Sequence, residues 1–97
     1  MSCCEAIHKA FDAKANGEIQ LGELPEWAHV RGKMAWYVFQ GPYKDLPTKG
    51  WDVFWRKFAA ANFTMEGAPG DVYACSPACH KEDHGEKMLT IFWAPVR

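Results

Sequence analysis

The densest run of metal-binding side chains is Cys75-x3-Cys79-His80-x3-His84. Thiolate sulfur and imidazole nitrogen are the donors zinc takes in a tetrahedron. A structural zinc site usually draws two short pairs from distant parts of a chain, whereas here all four donors fall within ten residues. The run is therefore read as a polar loop without a metal, and Lys81-Glu82-Asp83-His84 as a solvated stretch of charge. Cys3 and Cys4 add ligands only if the N-terminus comes close. Nucleophilic catalysis by Cys75 or Cys79 needs a histidine base that a third group orients. Nothing in the linear order supplies one, so no catalytic residue is assigned, and His8 and His29 are expected at the surface. Glu23, Glu26 and Glu66 are candidate pocket carboxylates. A buried carboxylate without a partner is costly, so one that faces aromatic rings should serve a cation.

Aromatic side chains are the second chemical signal. Seven of the fourteen fall between Ala35 and Trp55, around the turn Gly41-Pro42-Tyr43. Flat rings bury planar molecules well, and an indole also offers an N–H donor. The candidate ligand-binding residues are Trp36, Tyr37, Phe39, Trp51, Trp55, Tyr73 and Trp93. The simpler alternative is that these rings form a core or a homodimer interface, where aromatics are also enriched.

The totals narrow the function. With 97 residues the chain fits one domain, 1–97, with a modest core that a partner could enlarge. The net charge of −1 lacks the basic footprint of a nucleic-acid binder. No apolar run is long enough to span a bilayer, and MSCCEAIHKAF does not resemble a signal peptide. A cytoplasmic protein with reduced cysteines is expected, with no nucleic acid or membrane among its partners.

The elements that must position these residues follow from periodicity. Ser2 and Glu5 match a capping box, and Cys4, Ile7 and Phe11 share one helical face, so a helix is predicted over about 3–15. EIQLGEL predicts a half-buried strand that Pro25 ends. WAHVRGKMAWYVF predicts two strands joined at Arg31-Gly32-Lys33. Met34 to Phe39 is a strand with Met34, Trp36 and Val38 on one face and Ala35, Tyr37 and Phe39 on the other. Both faces are apolar, so both need cover. Beyond Pro47, a residue tolerated in a first helical turn, Trp51, Phe54, Trp55 and Phe58 form one stripe of a helix ending near Asn62. Short and long strands are predicted at Val72–Cys75 and Met88–Val96. The fold class is α+β: a mostly antiparallel sheet in a strand–helix–strand–strand module, its main helix packed on one face, plus an N-terminal helix.

A strand running into GPY, a helix carrying W..FW, then G.P.DVY...P and a final strand ending T....PV resembles the GyrI-like proteins, the effector-binding domains of AraC-type and multidrug-responsive regulators. The matching residues are Ala35, Gly41, Pro42, Tyr43, Leu46, Trp51, Trp55, Gly67, Pro69, Val72, Tyr73, Pro77, Thr90, Pro95 and Val96, spread over residues 34–97. The resemblance implies two such modules with a pocket between them for hydrophobic, planar, often cationic molecules. It also implies stand-alone relatives, some of which hydrolyse reactive planar toxins. This chain departs from the pattern. It holds one full module, and its interval from Glu23-Leu24-Pro25 to GPY is long. Ile91 and Ala74 stand where relatives carry glutamates.

The expected function is that of a stand-alone small-molecule-binding protein without cofactor, holding a hydrophobic planar ligand, neutral or cationic, in an aromatic-lined pocket. A homodimer replaces the missing module. The alternatives are a hydrolase of reactive planar molecules and a homodimeric interaction protein without a ligand.

Overall fold

The computed structural model describes residues 3–75 and 85–97. The chain runs α1 (Cys3–Phe11), β1 (Gln20–Gly22), β2 (Met34–Gln40), α2 (Asp52–Ala60), β3 (Gly70–Tyr73) and β4 (Leu89–Pro95). The strands form one antiparallel sheet in the order β1-β2-β4-β3. This is the predicted α+β class, with the main helix following the first long strand and packing on one face.

The alternation in β2 divides the core into two layers. Met34, Trp36 and Val38 face one layer with Leu89 and Ile91, while Ala35, Tyr37 and Phe39 face the other with Phe92 and Ala94. Six consecutive residues, Met34 to Phe39, are buried, as a strand covered on both faces requires. The register fixes cross-strand neighbours, with Trp36 opposite Trp93 and Tyr37 opposite Phe92.

Helix α2 covers the second layer. Its stripe is core: Phe54 is fully buried, Phe58 is buried, and Trp51 and Trp55 are half-buried against the same cluster. The rings interlock, with Trp51 at 4.5 Å and Phe54 at 6.3 Å from Phe92 by centroid, and Trp51 stacked on Trp55 at 6.0 Å. Each ring pair of this kind adds about 0.5–1.5 kcal/mol beyond its area burial. A π-helical turn over Leu46–Trp51 precedes α2, with Pro47 in its first positions, where a missing N–H costs nothing. The wider turn places Gly50 directly beneath Phe92, where a Cβ would lie 2.6 Å from the ring.

The first layer, on the face of β2 turned away from α2, needs a cover of its own. Much of that cover comes from the chain's own N-terminal segment: Phe11 and Leu24 are buried in this layer, and Ile7, Ala15, Ala28 and Val30 pack against it. Phe11 meets Trp36 edge-on at 5.9 Å and Trp27 at 6.0 Å. Asn16 ties the segment down. It holds a left-handed backbone (φ 55), its N–H donates to Val38 O at 2.8 Å, and its side-chain amide both accepts from Gln40 N and donates to Gln40 O.

Two predicted strands differ from the structure. The strand expected before Arg31 is a 3-10 turn over Glu26–Ala28, closed by His29 in the left-handed region (φ 59). The turn directs Leu24, Ala28 and Val30 onto the sheet, and burial of these side chains overrides the β-propensity of the segment. The strand expected over EIQLGEL shortens to Gln20–Gly22, leaving Leu21 51 % exposed on the sheet edge. Ser2 of the expected capping box, and Cys79, His80 and His84 of the metal-like run, lie outside the described residues.

Candidate functional site

The ring excess that the sequence displays is mostly absorbed by the two core layers. The conspicuously exposed rings are Trp27, Tyr43 and Tyr73. Of the seven candidate ligand-binding residues, Trp36 and Trp93 belong to the first layer, Tyr37 and Phe39 to the second, and Trp51 and Trp55, on the π-helical turn and α2, pack against the second. Tyr73 stands apart on the edge strand, 56 % exposed.

The fold brings two of the seven, Tyr37 and Phe39, to one hollow. A cleft of about 670 Å³ lies between the α2 side of the sheet and the turn after β2. Strand β2 supplies Tyr37, Phe39 and Gln40, the GPY turn supplies Gly41 and Pro42, and α2 supplies Val53 and Lys57. Asn16, Lys44, Asp45, Lys49 and Glu86 complete the rim. Gly41 is required by close approach: a Cβ there would lie 2.6 Å from the Phe39 ring. The turn is pinned to the last strand by Gly41 N–H donating to Met88 O at 2.9 Å.

Tyr37 and Phe39 are only 2 % and 3 % exposed, so little of either ring is open to a guest. The remaining apolar contact comes from Val53, Pro42 and the methylene stems of the lysines. Burial raises the Tyr37 phenol above its ordinary value, so it stays a neutral O–H at physiological pH.

The rim carries three cations and two carboxylates. Lys49 and Asp45 pair loosely at 3.8 Å, one helical turn apart. Among the described residues neither Lys44 nor Lys57 has an ion-pair partner. The cleft therefore leans positive, although the protein as a whole is at −1.

The candidate carboxylates of the sequence lie elsewhere. Glu23 and Glu26 line a separate hollow of about 560 Å³ with His29 and Arg31. Glu66 accepts from Arg97 Nε at 3.0 Å on the surface. Ile91 is fully buried in the first layer, and Ala74 is buried beside it.

The structure also makes a contact that linear order hid. His8 is not simply a surface residue: its side chain is 18 % exposed, its Nδ1 lies 2.7 Å from Asp12 Oδ1, and its Nε2 lies 3.7 Å from Cys75 Sγ. The spacing of His8 and Asp12, four apart on a predicted helix, was the available clue. Cys75 is 67 residues away and gave none. Among the described residues no group of three His, Cys, Asp or Glu side chains is arranged to hold a metal ion. No described helix is long and apolar enough to cross a membrane.

Compared with known proteins, the chain matches no protein-family model, no curated protein and no solved structure.

Proposed function

We propose that this protein binds a small, flat, largely apolar molecule in the cleft floored by Tyr37 and Phe39. It does so as a one-module relative of the GyrI-like effector-binding domains. The observation that carries the reading is the cleft itself, about 670 Å³ with an aromatic floor at the GPY turn. That volume lies within the range of small-molecule sites. The positive lean of the rim favours a ligand with an acidic group over the cationic one that the family resemblance implied. Exposed charges are worth about 0.2–1 kcal/mol each, so the rim selects by a few-fold while apolar contact sets most of the affinity.

The test is a fluorescence titration with two planar dyes, the anionic 1-anilinonaphthalene-8-sulfonate and the cationic rhodamine 6G. The expected result is saturable binding of the anionic dye to the folded protein, lost in Val53→Glu. Absence of binding by both dyes rejects the cleft, and equal binding that Val53→Glu leaves intact rejects its placement.

A second reading, the homodimer, is favoured by the apolar hollow of about 400 Å³ on α1 and the Glu26–Ala28 turn. It is lined by Ala6, Ile7, Ala10, Phe11 and Trp27, with Trp27 42 % exposed. Sedimentation velocity decides it, because a monomer at every concentration removes the dimer.

A further inference from the structure

We propose that Cys75 is a nucleophile served by His8 as base and Asp12 as positioning residue. Its targets are small α,β-unsaturated carbonyl compounds, which it captures as thioethers. The three side chains stand in a line: Asp12 Oδ1 to His8 Nδ1 at 2.7 Å, and His8 Nε2 to Cys75 Sγ at 3.7 Å. A short contact to a carboxylate places the imidazole proton on Nδ1, which leaves Nε2 as the atom that accepts from the thiol. This is the nucleophile, base and orienting group that sequence order alone could not assemble. It is built on the first layer, where α1 packs, whereas the proposed binding cleft lies toward α2. The proposal therefore stands independently of that cleft.

The thiol is 2 % exposed, which restricts the electrophile to a small one. Sulfur is a soft nucleophile, and a polarised C=C bond is a soft target that needs no leaving group. In the reaction the Cys75 S–H passes its proton to His8 Nε2, and the sulfur lone pair forms a bond to the β-carbon. The C=C electron pair moves toward the carbonyl as an enolate, and the enolate carbon takes the proton back from Nε2. All atoms of both partners remain in the thioether. Burial, and then charge on the Cys75 sulfur, holds the Tyr43 phenol above its ordinary value. Tyr43 and Tyr73 form an exposed ring pair with centroids 5.4 Å apart.

The experiment is the rate of methyl vinyl ketone addition to Cys75, followed by peptide mapping in the mass spectrometer and compared with the same thiol in the urea-unfolded chain. A buried thiol without a base reacts more slowly folded than unfolded. An activated one reacts faster, by about tenfold or more for a positioned general base. His8→Ala should reverse that order, and imidazole in the buffer should restore part of the rate, which a merely structural histidine would not allow. Asp12→Asn should slow the reaction with the fold intact by circular dichroism, and Asp12→Glu should recover part of it. Should His8→Ala fail to fold, the exposed Asp12 variants decide alone. Slower labelling of Cys75 in the native protein than in the unfolded chain, or unchanged rates in the Asp12→Asn or folded His8→Ala protein, overturns the proposal.

Discussion

Trp36 and Trp93 sit opposite one another across the β2–β4 ladder, and the indole N–H of each is buried without a hydrogen-bond partner among the described residues. Two adjacent orphan donors on one face of a small sheet are unusual, since most buried polar groups are paired. A buried donor left unmade costs about 1–3 kcal/mol, and exchange for an apolar group of similar shape can be neutral or stabilising.

Trp93→Phe is therefore expected to leave stability within about 1 kcal/mol of the parent or to raise it. Trp93→Ala should lose at least about 2 kcal/mol through the cavity it opens. Urea unfolding of the two variants checks both, and equal losses in the two would show that the N–H is not the liability inferred here.

Gly70 lies under the same indole. A Cβ at Gly70 would come within 2.3 Å of Trp93 Cζ2. Gly70→Ala should destabilise by about 1–3 kcal/mol through overpacking. In the Trp93→Phe background the loss should shrink, because the outer benzo ring of the indole, whose atoms block the Cβ, has gone. A double-mutant cycle measures that coupling, and strict additivity refutes the contact as its cause.

These relationships separate what the sequence made legible from what it hid. The two faces of β2 follow from a period of two, and the α2 stripe from 3.6 residues per turn, so the β2 and α2 parts of the core could be read residue by residue. The Glu26–Ala28 turn could not. Trp27, Ala28 and Val30 look like a strand locally and become a turn because tertiary burial of Leu24 and Val30 outweighs propensity. The cleft was half legible: Tyr37, Phe39 and the GPY turn stood out, whereas Lys44, Lys49 and Lys57 became its rim only once the π-helical turn had placed them. The His8–Cys75 contact depends on α1 docking beside the end of β3, a packing event with no periodic signature.

The rim makes a charge prediction. Lys44→Ala combined with Lys57→Ala should weaken binding of an anionic planar dye by about two- to tenfold and flatten its dependence on salt, with little change for a neutral analogue. Titrations at low and high ionic strength check this, and equal weakening of the neutral analogue would point to lost packing instead.

The three phenols predict behaviour in alkali. Tyr37 is held above 10.0 by burial and Tyr43 by burial and then by charge on Cys75. Tyr73 is held there chiefly by the charge of Asp71, whose carboxylate accepts from the Tyr73 O–H at 3.3 Å. A phenol that binds its proton more tightly folded than unfolded contributes stability that is complete below the unfolded value and falls as pH rises past about 10. Unfolding midpoints should decline from that point upward. Asp71→Asn should bring the Tyr73 ionisation back toward normal in an ultraviolet titration, and an unmoved transition would remove Asp71 as the cause.

Where β1 stops, Asn16 continues. Its main-chain N–H occupies the Val38 carbonyl and its amide satisfies both polar groups of Gln40, so a single side chain mimics two further residues of an absent strand. The part of β2 that β1 leaves uncovered therefore offers an intruding polypeptide no open register. Lateral extension, by a sister molecule or by an aggregating peptide, is left to the two border strands, Gln20–Gly22 and Gly70–Tyr73.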